Sequence, residues 1–295
     1  MKRLVILGAS GMLGGEVARM AKLTGIPFLA ISRDSEITLD LETMAFEQLG
    51  RQLNLCENDW LVNCIGWIPQ KPSGDLAKDI RLANLLNISL PDQLSTSRAQ
   101  LGFNWIQVAT DCAFQGTRGS YSEADVRDAE DLYGSSKITG EGLSQGAIQI
   151  RCSIVGRDSR TSSGLYSWFK SVARRGQVKG YVNHFWNGVS TTAFARLSIG
   201  MLQEDWGESM NQHWIPSDSL NKYELLQLFA KTLGLEPDVV IPVEADASIN
   251  RTLATVDQNA SDSLWMLAGY SEVPSIHELC QEFIEADTKI GLSHE

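Results

Sequence analysis

Tyr133 and Lys137 stand one helical turn apart in "DLYGSSKITGE", with only Gly134, Ser135 and Ser136 between them. At a spacing of i and i+4 both side chains lie on one face of a helix. A phenol and an ammonium placed so are either an acid–base pair or two ordinary surface residues. The small residues between them leave that face open, as though a flat molecule approached it. Twenty-three residues before the tyrosine, "VATDCAFQG" ends an apolar run with Thr110 and Asp111. Open α/β sheets bind ligands at such carboxyl ends of strands. The same two residue types also cap plain turns.

A second kind of chemistry is indicated near the first residue. "GASGMLG" sets Gly8, Gly11 and Gly14 in a GxxGxxG arrangement, directly after a strand-like run and ahead of a helix-like one. Glycines there permit a tight turn and close backbone approach to a pyrophosphate, which rests at the positive helix N-terminus. Ser10, Met12 and Leu13 belong to the same turn, so dinucleotide binding is expected. The next strand closes "AISRD", with Ser32 where a ribose-binding carboxylate would stand and Arg33 after it. A hydroxyl plus a guanidinium suits a 2′-phosphate, which favours NADP, while Asp34 nearby leaves NAD open. Asp40 and Leu41, in "ITLDL", fall where a short strand would reach the adenine edge. Cys64, Ile65 and Gly66 end a further strand and are expected to border the same cofactor.

These residues need a scaffold, and the chain spells one. The runs 3–8, 26–32, 59–66, 103–109 and 147–155 are short, β-rich and almost continuously apolar. Such runs are expected of strands covered on both faces. Between them "GMLGGEVARMAKLTG", "LETMAFEQLGRQL", residues 75–101 and "YGSSKITGEGL" carry helical spacing. The alternation implies an α/β fold, a doubly wound parallel sheet of the Rossmann type over 1–155. From 156 to 295 the regularity breaks into a smaller, mostly helical substrate region, with some segments returning to the sheet. Helices are expected in "LYSWFKSVARRG", "VSTTAFARLSIGML", "NKYELLQLFAKTLG" and "PSIHELCQEFIEA", and short extended pieces in "QHWIPS" and "VVIPV".

Bulk properties narrow the class. The 295 residues are 43% hydrophobic and 21% charged, as in a globular protein with a real core. A formal net charge of -11 argues against nucleic acid as a partner. Cys56, Cys64, Cys112, Cys152 and Cys280 are odd in number and irregular in spacing, and no CxxC occurs, so neither a metal site nor a disulfide framework is indicated. "MKRLVILGASG" begins like a signal peptide, yet its apolar run is too short and no cleavage site follows. No apolar run is long enough to cross a bilayer. A cytoplasmic protein without a membrane partner is expected; a homodimer stays open.

The set of motifs resembles the extended, nucleotide-sugar-modifying short-chain dehydrogenase/reductases, and more narrowly the dTDP-4-dehydrorhamnose reductase family. The resemblance rests on Gly8-x-x-Gly11-x-x-Gly14, on "ATDCAFQGTRGSYSEAD" and on "YGSSKITGE". It continues through "LLNISLP", "IRCSIVG", "NGVSTTAFARL", "HWIPSDSLNKYEL" and "RTLATVD", nearly the whole chain. The resemblance implies that Lys137 hydrogen-bonds the nicotinamide ribose and lowers the phenol pKa of Tyr133 toward working pH. Tyr133 would then protonate the carbonyl oxygen as hydride arrives, with Thr110 holding the same oxygen. Asn87 would hold a water that passes protons onward.

Two departures bear on the reaction. Related 4,6-dehydratases place a glutamate after the Thr-Asp pair; Cys112 stands there, a poor proton carrier, so reduction fits better than elimination. Where the dehydrorhamnose reductases carry a tryptophan after an Arg-Thr-Ser strand, this chain has Ile154 or Val155. Arg157, Arg160 and "NHFWNG" would supply diphosphate and sugar contacts, with Trp186 as a stacking platform or a core residue. Trp67, in "NCIGWIPQK", and Asp111 would line the same cleft. The expectation is an NADP-preferring reductase of a nucleoside-diphosphate keto-sugar, serving deoxysugar or surface polysaccharide synthesis. The alternatives are an epimerase or dehydratase on the same fold, and a non-catalytic dinucleotide-binding regulatory subunit.

Overall fold

A computed structural model describes residues 2–35, 37, 49–158 and 164–292. The chain begins by alternating strand and helix: β1 (Arg3–Leu7), α1 (Met12–Leu23), β2 (Phe28–Ile31), α2 (Leu49–Gln52), β3 (Asp59–Asn63), α3 (Leu76–Ala83), α4 (Leu90–Leu101), β4 (Asn104–Ala109), α5 (Leu132–Leu143) and β5 (Ile148–Arg151). There follow β6 (Ile154–Val155), α6 (Leu165–Val172), β7 (Val178–Tyr181), β8 (His184–Trp186), β9 (Val189–Ser190), α7 (Thr191–Glu204) and β10 (Met210–His213). The last elements are β11 (Leu220–Asn221), α8 (Lys222–Thr232), β12 (Val240–Val243), β13 (Ile249–Asn250), α9 (Gln258–Leu267) and α10 (Ile276–Leu292).

Six strands pair in the order β10-β5-β4-β3-β1-β2, every pair parallel. Parallel strands need crossover helices on the sheet faces, so their side chains are covered twice. Val5, Ile6, Leu61 and Val62 of the central strands are accordingly fully buried. Leu4, Ile6, Trp60 and Ile106 pack toward α1, α7 and α9 on one face. Val5, Leu61 and Trp105 pack toward Leu90 and Leu94 of α4 on the other. A separate core joins Tyr166, Phe169, Phe229 and Phe283 of α6, α8 and α10.

The expected run 147–155 divides in two. β5 stays in the sheet, whereas β6 leaves it to pair with β9. "QHWIPS" does more than form a short extended piece: β10 lies parallel to β5 as the sixth strand and brings His213 beside Arg151. The helices α9 and the strands β7, β8 and β13 had no clear sequence signal, being short or broken by polar residues.

Three local features place the site. The sheet turns from β1 into α1 at Gly8, whose φ of +82° is a left-handed conformation that glycine adopts without strain. A Cβ on Gly14 would strike the Gly8 carbonyl oxygen, so only glycine lets α1 approach the turn this closely. Residues 76–101 form one long helix that widens over Asn84–Ser89, where the Leu90 N–H reaches Leu85 O, five residues back. Pro91 explains the widening, because it has no N–H to return to the Asn87 carbonyl. α5 then presses against that bulge: a Cβ on Gly140 would run into Asn87 O.

Gly140→Ala therefore tests the closeness of α5 to the bulged helix. The variant should lose roughly 1–3 kcal/mol of unfolding free energy, typical of overpacking where backbone must move. A loss below about 0.5 kcal/mol in denaturant titration would contradict the contact.

Candidate active site

Thr110 follows β4 at the carboxyl end of the sheet, and its hydroxyl accepts the Cys112 N–H at 3.2 Å. The same hydroxyl lies 3.3 Å from Asp111 Oδ1. α5 starts beside it, because Asp131 caps the helix by accepting from Tyr133 N at 3.0 Å and Gly134 N at 2.9 Å. Tyr133 thus sits in the first helical turn, its phenol close enough to Thr110 and Cys112 to be influenced by both. Lys137, one turn on, is buried and donates from Nζ to Val108 O at 2.8 Å.

The small residues of "YGSSK" serve packing more than ligand access. A side chain on Gly134 would meet Ala129 and the Cys112 carbonyl. Ser136 Oγ accepts from Asn87 Nδ2 at 2.9 Å and donates to Tyr133 O at 2.9 Å. Asn87 spends its amide on these contacts. Its Oδ1 accepts from Trp67 N at 2.9 Å, and Nδ2 also reaches Trp67 O at 3.1 Å. With both donors engaged and the oxygen accepting one N–H, the Asn87 side chain ties the loop after β3 to α5.

Electrostatics also departs from expectation. Burial pushes the Tyr133 phenol up, as does the neighbouring Cys112 thiol, and the Thr110 hydroxyl only partly opposes them. Burial lowers the Lys137 pKa, against the pull of Glu141. The phenol is therefore held protonated, the reverse of the lowering anticipated from Lys137.

Beneath the pair lies a buried charge cluster. Arg151 donates to Thr110 O at 2.6 Å and to both Glu141 oxygens, at 3.1 and 2.6 Å. Its Nε reaches His213 Nε2 at 3.1 Å. His213 Nδ1 faces the Ala254 and Tyr121 carbonyls at 2.8 and 3.1 Å, so Nδ1 carries the proton and Nε2 accepts. Burial alone would push Glu141 up, but the charge and hydrogen bonds of Arg151 hold it below the usual range. Nothing in the order of residues announced this cluster; Arg151 reads as one polar residue in an apolar strand.

The glycine turn adjoins the same region. Gly8 backs onto the Cys64 carbonyl and Ile65, and Gly66 lies against Asn87 Oδ1. A continuous path thus runs from the turn through the end of β3 to α5. The N-terminus of α1 has Gly11 as its cap, no side-chain cap and no acidic residue in its first turn, so its N–H groups suit an anion. Ser10, Met12 and Leu13 flank it, Leu13 being buried. Ser32 and Ser35 close the turn after β2, and Arg33 stands exposed between them. These residues fit a dinucleotide phosphate. Asp40, Leu41 and Arg160 lie outside the described residues.

On the substrate side the assignments shift. Arg157 pairs with Asp287 of α10 at 3.0 Å, which gives it a partner within the fold. Trp67 is buried, its indole N–H 3.4 Å from Asp79. Trp186 is 5% exposed, bonded to Ser153 Oγ at 2.8 Å, and Lys222 Nζ lies 5.3 Å from its ring centre. It is a core tryptophan with an ammonium over the ring and offers no open stacking face. Lys222 itself had no sequence signal. Lys71 and Asp158 join at 3.0 Å, linking the loop after β3 to the segment after β6.

A family model described as the RmlD substrate binding domain matches residues 1–254. The chain belongs to that family. A dTDP-4-keto-6-deoxy-D-glucose reductase of Streptomyces niveus is 24% identical over 285 residues, 92% of each chain. The fold matches a Bacillus anthracis dTDP-4-dehydrorhamnose reductase in complex with NADP, with a TM-score of 0.77, 16% identity and coverage of 97% and 100%. A dTDP-4-dehydrorhamnose reductase of Clostridium acetobutylicum gives a TM-score of 0.76 at 17% identity, covering 98% and 100%. The family thus accounts for the six-stranded parallel sheet. Among the described residues no helix is long and apolar enough to cross a membrane.

The charge cluster makes a pH prediction. Burial, then the charge of Arg151, lowers the His213 pKa. A histidine kept neutral on folding stabilises fully above its unfolded value of about 6.5 and loses that stabilisation as pH falls through the lower folded value. His213→Gln should therefore flatten the fall in unfolding free energy between pH 7.5 and 5. Equal slopes for both proteins in urea titrations would contradict the neutral assignment.

Proposed function

We propose that the chain is a reductase of a nucleoside-diphosphate keto-sugar, preferring NADPH, with Tyr133 as proton donor. The observation that carries this reading is the placing of Thr110, Tyr133 and Lys137 together at the carboxyl end of β4, with Lys137 bonded to Val108 O and the glycine turn on a continuous path to them. The named relatives are reductases of dTDP-linked sugars.

A bound nicotinamide coenzyme supplies the hydride. The protein groups do the rest. The N-terminus of α1 and Gly8, Gly11 and Gly14 receive the pyrophosphate, and Ser32 with Arg33 receive a 2′-phosphate. Lys137 keeps two N–H donors beyond its bond to Val108 O, enough to hold a ribose hydroxyl. The Thr110 hydroxyl positions the ketone oxygen beside Tyr133, whose O–H gives its proton to that oxygen as alkoxide character develops. Burial keeps the phenol in its proton-bearing form, which the donor role requires. A place in deoxysugar or surface polysaccharide synthesis follows from such a substrate.

Cys112 speaks against the dehydratase alternative. Burial pushes its thiol up to about 12, so it supplies no base for abstracting a ring proton.

Two experiments test the reading. Tyr133→Phe should lower NADPH consumption with a dTDP-4-keto-6-deoxy sugar by about 10²–10⁴-fold, the usual worth of a positioned acid, while coenzyme still binds. Turnover within threefold of the parent protein would remove Tyr133 from the reaction. Arg33→Ala should weaken NADPH binding about tenfold or more and leave NADH unchanged, as loss of a charge-assisted phosphate contact requires. Equal effects on both coenzymes, measured by fluorescence titration, would exclude Arg33 from the 2′-phosphate.

A further inference from the structure

Three strands of the C-terminal region, in the order β11-β8-β13, bring two cations to the segment that follows β4. β13 runs parallel to β8 with Asn250 opposite Phe185, so Arg251 is next to Trp186 in register. Arg251 donates to Phe114 O at 2.8 Å and sets Nη1 4.0 Å from Cys112 Sγ. β11 runs antiparallel to β8 and ends in α8, whose first residue, Lys222, extends its ammonium over the Trp186 ring. Asp111 is the charged group that acts most on that ammonium. Cys112 N is bonded to Thr110 Oγ1, so Arg251 borders the Thr110 end of the cleft, with Lys222 over the Trp186 ring on the neighbouring strand's side.

Neither cation, among the described residues, has a carboxylate bound to it. Among the described residues Lys222 makes no hydrogen bond or ion pair, and the bonds of Arg251 go to a carbonyl and a thiol. Asp111 is, among the described residues, the carboxylate that acts on Lys222, and Cys112 cannot be a second, being a thiol at ordinary pH. Two positive groups against one negative leave the wall short of an anion. The position of Lys222 adds to the imbalance. It is half-buried at the first turn of α8, where the helix dipole repels a cation and attracts an anion. Burial drives its pKa down to about 8, the response of an ammonium removed from water without a partner. An aromatic face alone compensates part of this. A methionine would sit there at lower cost, so the lysine is explained by something that arrives with the ligand.

We propose that Lys222 and Arg251 form a subsite for an oxyanion carried by the substrate, opposite Thr110 and Tyr133. The inference rests on the keto-sugar reading above and deepens it. A nucleotide sugar offers two sources of that chemistry, the diphosphate and a carboxylate on the sugar ring.

The test is calorimetric binding of dTDP, UDP-glucose and UDP-glucuronate to the full chain and to Lys222→Met, with Lys222→Arg as the conservative control. Lys222→Met should weaken binding at least tenfold and Lys222→Arg should restore most of it. A loss across all three probes assigns the diphosphate; a loss confined to UDP-glucuronate assigns the ring carboxylate. Lys222→Met should also melt at or above the temperature of the parent protein, since it removes an uncompensated buried charge, and this separates lost binding from lost folding. Unchanged binding of every probe that the parent protein holds overturns the subsite and leaves the reductase reading standing. A parent protein that binds none of the three overturns both.

Discussion

A guanidinium buried at the end of a β-strand organises the site. Arg151 is 1% exposed, and an ion removed from water to that extent is tolerated only when its hydrogen-bonding capacity is met. The chain meets it from three separate elements: the Thr110 carbonyl after β4, Glu141 on α5 and His213 on β10. Each partner thereby receives a fixed place relative to the others. α5 carries Tyr133 and Lys137, and Thr110 directly follows β4, so the ion pair sets the distance between the Tyr133 phenol and the Thr110 hydroxyl. Arg127 adds a second, more exposed contact to Glu141 at 3.2 Å. Such clusters are weak stabilisers in net terms, because desolvation offsets attraction. Their effect here is on geometry.

The same logic extends outward. Glu123, in the "YSE" turn, accepts from His213 N at 2.8 Å and Val256 N at 2.9 Å, and Thr255 Oγ1 donates to it at 2.9 Å. Tyr121 stacks on Phe114 at 4.4 Å and pairs with Leu253 through an isolated bridge. These contacts draw the segment after β13 against the loop after β4. They bring Arg251 to Cys112, and so join the C-terminal sheet to the reacting end of the cleft. On the other side Asn87 locks the loop after β3 to α5 through Trp67 and Ser136. The cleft is thus braced from both sides by polar contacts that span large sequence separations.

Legibility in the sequence followed from the range of the interactions concerned. β1, β3 and β4 were readable because strands buried on both faces must be apolar throughout, and the glycine turn because Gly8 and Gly14 answer local steric demands. Thr110, Tyr133 and Lys137 were readable as a set, since order and spacing along the chain suffice. What depended on long-range pairing was not. Nothing in "QHWIPS" indicates that β10 completes the sheet, or that His213 meets Arg151 across 62 positions. Lys222 carries no signal in the sequence beyond opening a helix, and only the packing of β11 on β8 puts it over Trp186. Of the two readings open for Trp186, packing selects the core one, and the partners that the Asn87 amide finds on other elements were not legible in the order of residues.

The central claim is that Thr110 and Tyr133 hold one ketone oxygen while a hydride is delivered to its carbon. The most direct test supplies NADPH deuterated at the transferable position together with a dTDP-4-keto-6-deoxy sugar, and weighs the product by mass spectrometry. A gain of one deuterium on the carbon that bore the ketone is the predicted result. A product carrying no label, or coenzyme left unoxidised after prolonged incubation with a range of keto-sugars, would contradict the account.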